Sequence, residues 1–225
     1  MNSRTRISRR SLLRSSMVAL PGLVVPFSVF ATDSPRPCAT TPRQTAGPFY
    51  PLGHEIENDA DLTLLKGSAT PARGEPIVVA GQVFDAQCRP AAGAVVEIWQ
   101  ACWSGRYNHP QDSNPAALDP RFQYYGVSRA DEQGRYAFKT ILPGAYPATA
   151  NWTRPPHIHF KVRAAGHREL VTQMYFAGQP LNEADRILMA LAPGERERVV
   201  IPPQPTPSEG DPRGISMRFD LTLPA

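Results

Sequence analysis

The chain is poor in several features that commonly announce a function. Its 225 residues hold three cysteines, Cys38, Cys88 and Cys102, so at most one intramolecular disulfide can form, and the sequence does not choose the pair. No Cys-x-x-Cys occurs, which removes the usual dithiol redox signature. There is no glycine-rich phosphate loop and no Gly-x-Ser-x-Gly elbow, so the motifs of P-loop nucleotide binding and of α/β-hydrolase catalysis are missing. The apolar run 17-MVALPGLVVPFSVFA-31 is broken by Pro21, Gly22 and Pro26 and is a poor membrane span. No basic patch interleaved with aromatics is present, which argues against a nucleic-acid partner.

The first 31 residues contain no acid, and they carry Arg4, Arg6, Arg9, Arg10 and Arg14 ahead of that apolar run. A basic stretch, a short apolar stretch and a closing Val-Phe-Ala read as an export signal. Within it, 8-SRRSLLR-14 has the form of a twin-arginine signal, with Leu12 where an aromatic is more usual. The expectation is an exported protein, periplasmic or extracellular, with no membrane span after processing. Five of the arginines leave with this segment, so the formal charge of +4 falls to about −1 and the basic pI carries no message about anionic partners.

What the chain does have is proline, 25 residues of it, beside 16 glycines. These punctuate short runs with strand character: 78–85, 94–100, 135–141, 157–164, 170–176, 198–201 and 215–223. The reading is an all-β fold, a β-sandwich with long loops, over residues 81–225. Residues 32–80, rich in Pro, Thr and Ala, read as an irregular, extended N-terminal arm. One helix is expected at 181-LNEADRILMAL-191. The connection 101–130 shows little strand character and is too long to be a mere linker in a compact domain.

The segment 154-RPPHIHFKVRA-164 alternates Ile158, Phe160 and Val162 with His157, His159, Lys161 and Arg163. A period of two sends the aliphatics to one face of a half-buried strand and both histidines to the other, close enough to share a metal ion. Two imidazoles are an incomplete set, and metal ligands come in sets. Tyr107, in the long loop after a strand, and Tyr146, in the proline-bounded turn 143-PGAYP-147, sit on stiffened backbone that could aim a phenol.

Five segments in this order resemble the intradiol ring-cleavage dioxygenases, the superfamily of protocatechuate 3,4-dioxygenase and catechol 1,2-dioxygenase. They are 44-QTAGPFYP-51, 93-GAVVEIWQACWSGRYNH-109, 131-DEQGRYAFKTILPGAYP-147, 154-RPPHIHF-160 and 173-QMYFAG-178. The resemblance implies a mononuclear Fe(3+) held by Tyr107, Tyr146, His157 and His159. It implies a catechol-type substrate cleaved with O2 to a cis,cis-muconate-type diacid. Tyr146 and Arg154 would act on the substrate, with Gln173 near the site. Gly47, Pro48 and Phe49 match the arm that lines the family's substrate pocket, although Phe49 stands where a tyrosine is common. Trp103 is a further candidate for the pocket wall. No extra helical segment precedes Gly81, so the chain looks more like a protocatechuate-type subunit, yet with its own full ligand set; a homo-oligomer is compatible with this. The competing reading is a non-catalytic, transthyretin-like binding module, for which four such ligands would have no use.

Overall fold

A computed structural model describes residues 38–53, 57–206 and 214–225 of this chain. The expected signal, residues 1–31, lies outside them. Short alternating or β-branched runs become strands. In chain order these are β1 (Pro76–Phe84), β2 (Val95–Trp99), β3 (Tyr125–Arg129), β4 (Arg135–Ile141), β5 (Tyr146–Thr149) and β6 (Trp152–Arg154). They continue with β7 (His157–Arg163), β8 (Leu170–Phe176), β9 (Val200–Ile201), β10 (Gln204–Pro205), β11 (Ile215–Arg218) and β12 (Leu221–Thr222).

The strands form an all-β sandwich. In one sheet β1 is central: β4 lies antiparallel on one edge, while β11 and β12 lie parallel and in succession along the other. The second sheet has the order β3-β2-β7-β8-β9, antiparallel except for its last pair. Residues on the inner faces meet in one core, where Phe160 of β7 lies 5.0 Å, ring centre to ring centre, from Phe219 and 6.3 Å from Tyr136 of β4. Burying large aliphatic and aromatic side chains at roughly 25 cal/mol per Å² is the main force holding the two sheets together.

Three expectations are corrected. The connection 101–130 ends in a strand, β3, because residues 125–129 pair with β2 from Tyr125↔Trp99 to Arg129↔Val95. Gly126 disguised it: a side chain there would strike Leu62 and the Asp59 carbonyl, since the arm crosses the strand at that point. The turn region after residue 142 contains the short hairpin β5–β6, hidden by Pro147 and by its length. The single helix at 181–191 is a 3₁₀ turn, Pro180–Ala184, followed by a one-turn helix α1, Arg186–Met189, and α2, Pro193–Arg196. Asp185 causes the break, as its carboxylate caps Ile187 N and Leu188 N rather than continuing the earlier turn.

The arm is laid along the sandwich. The Cys38 N–H donates to the Ala86 carbonyl, Thr41 N–H to Thr222 O and Gln44 N–H to Val171 O. A disulfide joins Cys38 to Cys88, and Cys102 is free and buried. Residues beyond Gln44 then pass over the outer face of the second sheet.

Candidate metal centre

Register assembles the site on that outer face. Across β2, β7 and β8 the cross-strand partners are Trp99↔His159↔Gln173, with His157↔Tyr175 one step away. His157 and His159 thus share a face, as the alternation requires, while Ile158, Phe160 and Val162 enter the core. The strand is not half-buried here: both histidines are 2% exposed. The arm closes over them, with Gly47 so near that a β-carbon on it would lie 3.4 Å from His159 Cε1. Trp99 stacks on the His159 ring, 4.8 Å away and nearly parallel to it, and fixes its orientation.

The tyrosines arrive from two turns in contact. Gly105 adopts a left-handed backbone, φ +82°, and a β-carbon on it would sit 2.1 Å from Ala145 O; one on Gly144 would sit 2.4 Å from Gly105 N. Only glycine permits this approach. It brings Tyr107, whose N–H donates to Asp112 Oδ2 at 2.6 Å, next to Tyr146, the first residue of β5. Four rings then close a circuit. The centroid distances are 5.5 Å for Tyr107–Tyr146, 5.7 Å for Tyr146–His157, 4.9 Å for His157–His159 and 6.3 Å for His159–Tyr107.

Arg154, opposite Tyr146 in the β5–β6 hairpin, stands beside this circuit. Its Nε donates to Asp185 Oδ2 at 2.9 Å, and Nη2 donates to Gln173 Oε1 at 2.8 Å and to Tyr175 Oη at 3.1 Å. Gln173 is itself held by Gln44 Oε1, which accepts its N–H, and by the Thr45 carbonyl, which accepts its Nε2. Gln173 therefore positions Arg154 rather than facing the cleft. Asp185, Tyr175 and Gln44 complete this hydrogen-bonded network and were not singled out from the sequence. Only Asp185 left a signal, an acidic residue just ahead of an apolar helical run.

Electrostatics keep the four rings neutral on their own. Burial pushes the Tyr107 phenol well above its ordinary range, and Tyr146 beside it adds to the effect while Arg154 opposes it. Burial also raises Tyr146, against the charge and hydrogen bond of Arg154. Burial, then the charge of Arg154, lowers His157 to about 3; burial, His157 and Arg154 hold His159 well below its usual value.

Two features fit a bound cation. The Tyr107 hydroxyl is buried with no hydrogen-bond partner, an unsatisfied group of a kind native interiors rarely keep. His157 Nδ1 lies 2.7 Å from the Pro155 carbonyl, which assigns the proton to Nδ1 and the lone pair to Nε2. Arg154 Nη1 now meets that nitrogen at 3.0 Å, a contact that an ion would displace. Among the described residues no cluster of three or more His, Cys, Asp or Glu can hold a metal, so a site built on these histidines needs the phenols. Phenolate is a hard anionic donor that favours a hard, highly charged ion.

The cleft beside the circuit has a volume of about 680 Å³ and is bounded by Gly47, Pro48, Phe49, Tyr146 and Arg154. A second cavity of about 850 Å³, with Trp99, Tyr124 and Tyr125 in its walls, lies on the other side of Phe49 and Tyr107. Trp103 borders neither cavity. The Cys102–Arg106 turn carries it to the surface, 40% exposed, where Arg73 lies over its ring, so its expected role as pocket wall is withdrawn.

Comparison with known proteins agrees with this geometry. The family model described as "Dioxygenase" matches residues 45–225. The protocatechuate 3,4-dioxygenase beta chain of Burkholderia cepacia is 42% identical over 178 residues, 77% of this chain and 72% of that one. A 6-chlorohydroxyquinol 1,2-dioxygenase of Cupriavidus pinatubonensis is 33% identical over 78% of this chain and 63% of its own length. Among solved structures, catechol 1,2-dioxygenase from an Acinetobacter species superposes with a TM-score of 0.60 at 30% identity, covering 81% of this chain and 62% of that one. The dioxygenase domain of a carbohydrate-binding fusion from Streptomyces sp. SirexAA-E gives 0.59 at 28% identity, covering 82% and 98%. Fold and site together define the class, a β-sandwich enzyme of the dioxygenase type. More narrowly, the chain belongs to the intradiol ring-cleavage dioxygenases, a family built around non-haem iron.

Proposed function

We propose that this chain cleaves catechol-type rings between the two hydroxylated carbons, incorporating both atoms of O2 and releasing cis,cis-muconate-type diacids. A single Fe(3+) held by Tyr107, Tyr146, His157 and His159 would serve the reaction. The observation that carries the reading is the closed circuit of four buried rings around a Tyr107 hydroxyl without a protein partner. Iron held by these four residues would supply Lewis acidity toward the oxygens of a catechol and so prepare its ring for O2.

The chain's own residues do the rest. Tyr107, His157 and His159 do not line the cleft and would hold position, with His159 stacked on Trp99. Tyr146 lines the cleft beside Arg154, so its Oη would be the acceptor for a catechol proton. Arg154 presents a fixed positive charge to the ring as electron density builds there, and Asp185, Gln173 and Tyr175 prevent it from swinging away. Gly47, Pro48 and Phe49 wall one side of the cleft.

The test is a visible absorption spectrum of the purified mature protein, before and after catechol is added without oxygen. Tyrosinate on Fe(3+) gives a charge-transfer band that colours the protein red to brown, and catechol should shift it. Tyr107→Phe should bleach most of the band and lower iron content. A protein colourless after iron reconstitution, or a Tyr107→Phe variant that keeps band and iron, refutes the assignment.

Export belongs to the same proposal. The disulfide between Cys38 and Cys88 supports it, because such bonds persist in oxidising compartments, and 8-SRRSLLR-14 supplies the route. Protein recovered from the periplasm should begin near residue 32 and show one thiol, Cys102, titratable only on denaturation. Full-length protein with three thiols in the cytoplasm would contradict this.

A further inference from the structure

The cleft is larger than a catechol needs, and its walls are nearly devoid of charge. Its volume of about 680 Å³ falls within the range of about 300–1,000 Å³ that accommodates drug-sized ligands, well beyond a single ring. Beyond Tyr146 and Arg154 the wall is made of small or uncharged residues, among them Ala148, Ala150, Thr149, Gln111 and Ser113. Of the described residues in that wall, only Arg154 and Asp112 carry charge.

Neither is free to receive an anion at the outer end. The charge of Arg154 is matched by Asp185 in a buried pair, and its Nε and Nη2 are engaged by Asp185, Gln173 and Tyr175. Asp112 is buried and accepts from Tyr107 N and Asn114 N, which fixes a negative charge in the wall. Arg186 is not part of the lining; its guanidinium lies over the Trp152 ring, 5.1 Å from the centroid. Trp152 does line the cleft, and its Nε1–H is buried without an acceptor. A carboxylate on the far side of the substrate ring would stand beside Asp112, and the only cation lining the cleft is the already paired Arg154. A neutral substituent would instead meet the aromatic face of Trp152 and the room left by two alanines.

We propose that the cleft selects catechols carrying a bulky, uncharged substituent and discriminates against ring carboxylates, in contrast to what the name of the Burkholderia cepacia relative suggests. This rests on the ring-cleavage reading. The experiment compares kcat/KM of the iron-loaded mature protein for catechol, 3,4-dihydroxybiphenyl, 3,4-dihydroxybenzoate and the ethyl ester of that acid, with anaerobic calorimetry of binding for the last two. The ester should exceed the acid at least tenfold in kcat/KM and in affinity, and the biphenyl should be cleaved at least as well as catechol. Ser113→Lys, which puts a cation in the wall, should narrow the ester-to-acid ratio severalfold. Equal or better use of the acid, or a biphenyl excluded while catechol is cleaved, overturns the selectivity. Failure to cleave any of the four overturns the ring-cleavage reading instead, and the calorimetric ratio still decides the preference of the cleft.

Discussion

Two residues without side chains make the centre. Gly105 and Gly144 let the turns carrying Tyr107 and Tyr146 touch backbone to backbone, and a methyl group on either would push the phenols apart. The histidines have the opposite character, since they are defined by what covers them. The unfolded chain takes up protons on these imidazoles near pH 6.5, whereas burial lowers His157 to about 3 and His159 well below its usual value. Their contribution to folding is therefore complete above pH 6.5 and is lost as the pH falls from there toward 3. The slope is at most about 1.4 kcal/mol per pH unit for each histidine. The urea midpoint of the iron-free protein should accordingly fall between pH 7.5 and pH 5; a flat profile would show that the imidazoles are not buried neutral. At this scale the sequence was partly legible. Alternation alone paired His157 with His159, and turn context singled out Tyr107 and Tyr146, but only the family resemblance made the two tyrosines ligands. Asp185 and Tyr175 hold Arg154, and Gln44 holds Gln173, from distant parts of the chain, and of the three only Asp185 carries a local mark.

Among the elements, the broken helix is the informative one. A continuous helix over 181–191 would satisfy local propensity, yet Asp185 holds Arg154 and caps α1 at once. Asp185→Ala should remove a cap worth about 0.5–2 kcal/mol and strand a buried guanidinium, a loss of about 3–5 kcal/mol. Asp185→Asn can keep the cap but not the charge, so it should denature at a urea concentration between those of the wild type and the alanine variant. Equal midpoints for all three would mean that the pair is dispensable. Strands with clean alternation, such as β4 and β7, were legible in the sequence. β3, β5 and β6 were not, because their existence depends on partners and on a glycine or proline that reads as a turn.

At the level of the whole molecule, the arm is part of the sandwich rather than an appendage. It is stapled at Cys38–Cys88, hydrogen-bonded to Thr222 and Val171, and ends as a wall of the cleft. Closing the 50-residue separation of that disulfide removes about 4 kcal/mol of unfolded-chain entropy in the simple loop model. Composition and turn spacing were enough to read an all-β sandwich. How the arm packs was not legible, since Pro-, Thr- and Ala-rich sequence carries no periodicity to say which surface it follows. The first sheet also has a consequence for synthesis. One edge of β1 is covered only by β11 and β12, whose partners run from Ile77↔Ile215 to Phe84↔Thr222. Until residues 215–222 have left the ribosome, that edge stays bare, and a stalled nascent chain offers its neighbours on the polysome a strand ready to be paired.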